Sequence, residues 1–203
     1  MEILSPRSEV AARLNRFFRA ARAALCLVAA CTMALCAMPP PARAADPYSE
    51  DAVKAAYLYR FAGYVDWKDK IPADAPFTIA VFGAPRVAGE LRRLLPGHLV
   101  ANRRVQVREV TGPQDVGTPQ LLYAGPGRAR ALQALLAPAA GAPVLTVTDE
   151  DDGLKAGSAV NFLLIDHRIR FEVSLTSADR LGLKISSELL GVAVRVHGGA
   201  RAT

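Results

Sequence analysis

PVLTVTDEDDGLKAGSAVNFLLIDHRIRFEVSLTSADRLGLKISSELLGVAV, Pro143 to Val194, is the stretch that decides the fold. It opens on an apolar run, Val144 to Thr148, that stops at four consecutive carboxylates, Asp149 to Asp152. Two β-type runs follow, Ala159–Ile165 and Ile169–Leu175, with only Asp166, His167 and Arg168 between them. In the second run Ile169, Phe171, Val173 and Leu175 alternate with Arg170, Glu172 and Ser174, so one face of that strand is dry and the other is wet. The first run is apolar at nearly every position, as in a strand covered on both sides. A link this short between two such runs predicts a β-hairpin. Thr176 or Ser177 can then cap a short helix that Gly182 ends, and Ser186 or Ser187 can cap a last helix over Glu188–Val194.

Working outward, the first 44 residues stand apart. Arg13, Arg16, Arg19 and Arg22 form a basic region, Ala23 to Met38 is apolar, and Ala42-Arg43-Ala44 is a small-x-small cleavage pattern. The apolar segment is short beside the ~20 residues that a membrane span needs. Residues 1–44 are therefore expected to be a signal peptide, residues 45–203 an exported domain, and the compartment the periplasm. Val28-Ala29-Ala30-Cys31 offers a second reading, a lipobox leaving a lipid-anchored Cys31. All three cysteines (Cys26, Cys31, Cys36) lie in this leader, so no disulfide is expected in residues 45–203. Removing the leader's six arginines and two glutamates from the chain's 25 basic and 19 acidic residues leaves 19 and 17, a net charge of +2. That balance gives no reason to expect a nucleic-acid partner, nor membrane insertion after cleavage. The 159 residues left after the first 44 of 203 suit one domain.

Within that domain, Ser49 caps a helix predicted to run to about Val65, with Val53, Tyr57, Phe61 and Val65 inward and Lys54 off the stripe. Phe77–Phe82 predicts a strand, Val87–Leu95 a helix, Arg103–Val110 an alternating strand, Gln120–Ala124 a short buried strand and Arg128–Leu136 a helix. Strands alternating with helices imply one compact α/β domain. Its sheet should be mixed but mostly parallel and flanked by helices, with an antiparallel hairpin near the C-terminus.

Searches for chemistry fail on spacing. Gly83 and Gly89 follow a strand but form neither GxGxxG nor GxxxxGK[ST]. His98, His167 and His197 are scattered, and Ser158 lacks the flanking glycines of a nucleophile elbow. The Asp149–Asp152 run does not have the ligand spacing of an EF-hand. Nothing in these residues calls for a cofactor, a metal or catalysis. Asp149 does close a strand, and ligands of open α/β sheets gather at strand carboxyl ends, so it is a candidate ligand contact.

AVKAAYLYRFAGYVDW (Ala52–Trp67), VLTVTD (Val144–Asp149), IRFEV (Ile169–Val173) and GLKISSELLGVA (Gly182–Ala193) together resemble the YfiR family of small exported proteins. The resemblance runs from about Ala52 to Val194. It implies a compact α/β repressor, often dimeric, that binds the periplasmic sensory part of an inner-membrane diguanylate cyclase and lowers cyclic-di-GMP, restraining biofilm growth. It implies no enzyme activity. Members with periplasmic disulfides tend to carry Cys where this chain has Pro119, so redox control does not carry over. Candidate partner contacts are Tyr59, Arg60, Tyr64 and Trp67 on the first helix, where aromatics concentrate, with Arg168 and Arg170 on the hairpin. The alternative reading is a periplasmic small-molecule binding module serving a histidine kinase or a transport system.

Overall fold

The computed structural model of the chain describes residues 49–67, 70–72, 74–137 and 142–198. The leader, its cleavage pattern and Cys31 lie outside them. Ser49 caps α1 (Glu50–Gly63), its hydroxyl accepting from the Ala52 amide at 3.2 Å, and Glu50 and Asp51 complement the positive end of the helix dipole. The chain continues through β1 (Phe77–Phe82), α2 (Pro85–Leu94), β2 (Leu99–Val100), β3 (Arg103–Val110), α3 (Pro113–Val116) and β4 (Leu121–Ala124). A 3₁₀ turn (Ala129–Ala131) leads into α4 (Leu132–Leu136), then β5 (Leu145–Thr148), β6 (Val160–Ile165) and β7 (Arg168–Ser174). The last elements are α5 (Leu175–Arg180), α6 (Ser187–Val192) and β8 (Arg195–His197).

These strands form one eight-stranded sheet in the order β2-β3-β1-β4-β5-β6-β7-β8. β3, β1, β4, β5 and β6 run parallel; β2 pairs antiparallel with β3 at one edge, and on the other side the antiparallel β6–β7 hairpin is followed by β8, parallel to β7, at the edge. The parallel strands, numbered by their own sequence, read 2-1-3-4-5, a doubly wound order whose reversal falls between β1 and β4. The single α/β domain with a mixed, mostly parallel sheet and a hairpin is thus the architecture found.

Alternation sorts the side chains onto two faces. Phe77, Ile79 and Val81 of β1, Leu121 and Tyr123 of β4, and Phe162 and Phe171 of the hairpin point toward α1 and α2 and join the larger core. Tyr57, Phe61, Phe162 and Phe171 meet there with ring centroids 4.8–6.1 Å apart, mostly tilted or edge-on, as aromatic quadrupoles favour. Ala80, Leu122 and Ala124 face the other way, onto α3 and α4. Beyond β5 that second face becomes polar. Thr148 Oγ donates to Asn161 Oδ1 (2.8 Å) and lies 2.8 Å from Ser158 Oγ; Asn161 Nδ2 donates to Glu172 Oε1 (3.1 Å). Glu172 is also met by His197 Nε2 at 3.1 Å and Arg195 Nε at 3.4 Å. This chain of contacts ties four strands together, and no fully buried side-chain nitrogen or oxygen among the described residues is left unpaired.

Several expectations are corrected. The hairpin link is two residues, because Ile165 pairs with Arg168; Asp166 (φ 49°) and His167 (φ 57°) both take the left-handed conformation of a type I′ turn, whose twist matches that of the strands. β6 is covered only over its first half, and Leu164 and Ile165 emerge into solvent. Ser174, not Thr176 or Ser177, caps α5 by accepting from the Ser177 amide. His197, past the last predicted helix, lies in a strand. At the start of β3 the Arg103 guanidinium donates to the carbonyls of Ile71, Pro72 and Ala75 and secures the segment before β1.

The loop after β5 packs against this polar network without slack. A Cβ on Gly153 would lie 2.2 Å from Thr148 Oγ and 2.3 Å from Asn161 Oδ1. Gly153→Ala should therefore cost ~1–3 kcal/mol as overpacking. Gly89→Ala, in mid-α2 with open space around its Cβ, should instead gain ~0.5–1 kcal/mol. Urea denaturation of the two variants side by side checks both signs.

Candidate functional site

At the carboxyl ends of β4 and β5, Lys54 reaches down from α1 to Asp149. Its ammonium lies 2.7 Å from Asp149 Oδ2 and 3.8 Å from Glu50 Oε2. The same Oδ2 accepts from the Tyr123 hydroxyl at 3.0 Å. Lys54 is 7% exposed and Tyr123 fully buried, so the sequence expectation of an outward Lys54 is overturned. Burial first, and then the neighbouring Asp149 carboxylate, pushes the Tyr123 phenol far up; it stays a neutral donor. Asp149 Oδ1 has no partner among the described residues, and because no fully buried side-chain oxygen is unpaired there, it opens onto solvent.

Asp149 is part of the lining of a cavity of about 230 Å³. Asp51 and Lys54 of α1, Arg86 at the start of α2, and Tyr123 and Asp149 line it, with Ala84, Pro85 and Pro126 as apolar walls. Ala84, the N-cap of α2, has no side chain to offer the first-turn amides. The first intrahelical bond runs from the Ala88 amide to the Ala84 carbonyl, leaving the Arg86 and Val87 amides without a helical acceptor. Gly125 makes the close approach behind this crevice possible: a Cβ there would sit 2.9 Å from the Ala84 Cβ.

The other candidates scatter. Tyr59 is half-buried with its ring edge-on to His98 (5.3 Å, 81°), and Arg60 is exposed. Tyr64 closes α1, its amide bonding to the carbonyls of Arg60 and Phe61, while its own carbonyl accepts from Ser186. Trp67 is 5% exposed, donates its indole N–H to the Ala62 carbonyl at 2.6 Å and stacks edge-on upon Phe77. It is a core anchor in this chain. Arg168 and Arg170 are exposed on the hairpin, opposite Ile165 and Leu163. Ile165, 40% exposed, shares their face, and Leu164, 56% exposed, projects from the other face of the same tip. This apolar tip is absent from the candidates that the sequence offers; its signal is an apolar run reaching a turn without the alternation of its partner strand.

Comparison with known proteins adds the family. A model described as YfiR/HmsC-like matches residues 51–194, more than half the chain. The chain belongs to the YfiR/HmsC-like family. No curated protein matches. Among solved structures, a conserved domain protein from Vibrio cholerae superposes with a TM-score of 0.50 at 11% identity, covering 70% of this chain and 59% of its own. The ABC domain from Streptococcus pneumonia solved in complex with L-Trp gives 0.47 at 9% identity, covering 70% and 60%. The YfiR/HmsC-like chain thus spans about three-fifths of each of those chains, and at such identity the first likeness shows fold alone. No helix among the described residues is long and apolar enough to cross a membrane.

Two stability measurements probe the Lys54 cluster. Lys54→Met strands Asp149, at a cost of roughly 3 kcal/mol, the low end for a broken buried pair because Asp149 keeps one open side. The raised Tyr123 pKa also has a sign. Its contribution is whole below the ordinary tyrosine value of about 10 and is lost as pH rises above it, since the unfolded phenol ionises and the folded one does not. Stability measured by urea between pH 8 and 11 should fall less steeply in Tyr123→Phe than in the parent.

Proposed function

We propose that this protein is a non-enzymatic periplasmic regulator that binds the outer sensory part of an inner-membrane signalling protein, a diguanylate cyclase, and holds its output low. The observation that carries this reading is membership of the YfiR/HmsC-like family, whose model matches residues 51–194. Such repression needs only that the regulator bind the inactive state of the receptor more tightly than the active one.

The β6–β7 tip is the surface best suited to that contact. Ile165, 40% exposed, pairs across the strands with Arg168 on the face that also carries Arg170, two cations with no carboxylate paired to them among the described residues, while Leu164, 56% exposed, projects from the opposite face of the tip. Apolar anchors flanked by arginine are the side chains that dominate interface energetics. The complementary receptor surface is apolar with an acidic rim.

Deleting the gene should raise cyclic-di-GMP and surface attachment. Unchanged levels in a strain expressing the cognate cyclase would overturn the role. Arg168→Glu with Arg170→Glu, both exposed, should leave folding within ~0.5 kcal/mol yet reproduce the deletion phenotype. Full repression by that variant would move the contact to another surface.

A further inference from the structure

We infer that the cavity at the carboxyl ends of β1, β4 and β5 is a binding site for a small zwitterion, a molecule carrying an ammonium and a carboxylate together. This goes beyond the repressor reading and stands whether or not the hairpin tip docks a receptor. The position is the first argument. β1 leads through α2 to β3 on one side, while β4 lies on its other side, so the loops leaving β1 and β4 part and open a crevice where doubly wound sheets bind their ligands.

The lining supplies the chemistry. On one side stand acceptors: Asp149 Oδ1, which has no protein partner, and Asp51, which is in no ion pair. On the other stand donors: the Arg86 guanidinium, also in no ion pair, and the unclaimed amides of Arg86 and Val87 at the positive end of a ten-residue helix. The buried Lys54–Asp149–Tyr123 contacts fix the acceptor side, because both donors grip Oδ2 and leave Oδ1 of this lining residue without a protein partner.

Charge balance then selects among ligands. Two carboxylates and two cations line the space, so a simple anion or a simple cation entering it leaves a lining charge uncompensated. A zwitterion satisfies both ends: its carboxylate takes the α2 amides and Arg86, and its ammonium takes Asp149 Oδ1 and Asp51. The volume, about 230 Å³, lies below the ~300–1,000 Å³ of drug-sized pockets. With walls of Ala84, Pro85 and Pro126, it suits a small aliphatic α-amino acid.

The test is calorimetry and thermal shift on the purified protein with L-alanine and L-leucine. Propionate, propylamine and glycine betaine serve as probes lacking the ammonium, the carboxylate and the N–H donors in turn. The amino acids should bind and raise the melting temperature by mass action, the three controls should not, and the Arg86 and Val87 amide resonances should shift. Arg86→Ala and Asp51→Asn, at positions that anchor no buried contact, should each weaken binding at least about tenfold, the loss of one charge-assisted hydrogen bond. No binding of either amino acid at tens of millimolar overturns the site. Binding of propionate, propylamine or betaine as tightly as the amino acids overturns the zwitterion. Binding unaffected by both variants overturns the location. Because none of these readouts involves a cyclase, they separate this site's failure from that of the repressor role.

Discussion

A lysine ammonium and an aspartate carboxylate, both largely withdrawn from water, fasten the first helix to the end of the sheet. Desolvating such a pair costs several kcal/mol per ion unless the remaining donors and acceptors are well placed. Here Glu50 stands one helical turn away from Lys54, and Tyr123 adds a neutral donor to the carboxylate. An apolar pair in their place could slide along the sheet without much loss. A pair meeting at 2.7 Å cannot, so the ion pair sets how far α1 lies along β4 and β5. The aromatic cluster one to two turns further on, Tyr57 and Phe61 against Phe162 and Phe171, then packs at a fixed height. The adhesion between helix and sheet is mostly hydrophobic, and its register is electrostatic.

The strands were largely legible in the sequence. FTIAVF and RRVQVREV fall at the predicted positions because long apolar or alternating runs with β-branched residues leave the backbone little choice. What escaped were short elements held by their neighbours. Leu99–Val100 is a strand only because a type I′ turn at Ala101 and Asn102 folds it onto Arg103 and Arg104. Arg195–His197 is a strand because Glu172 and Ser174 of β7 stand beside it. Two or three residues carry no periodicity of their own.

The site was less legible than the fold. Asp149 was marked from its place at a strand end, a topological argument that needs no side-chain partner. Lys54 was placed outside because period and hydrophobicity both assign a lysine to water; its counter-ion lies 95 positions away, where a local pattern cannot see it. Trp67, an aromatic beyond the helix stripe, looked available for a partner, yet the chain turns after Tyr64 and returns its indole to the Ala62 carbonyl. In both cases the missing information was a long-range or reversed path of the backbone.

Glu172 imposes an order of events. It sits 9% exposed in the middle of the network behind β5 to β7, and the two side chains of β8 that meet it, Arg195 and His197, come 23 and 25 residues later. A polypeptide emerging N-terminus first from a ribosome presents this carboxylate before either neighbour has appeared. Until they arrive, closing the hairpin onto the sheet would bury an anion that has only Asn161 for company. For this carboxylate, closure becomes favourable only once β8 is in place, so the last strand of the sheet completes the electrostatics of the seventh.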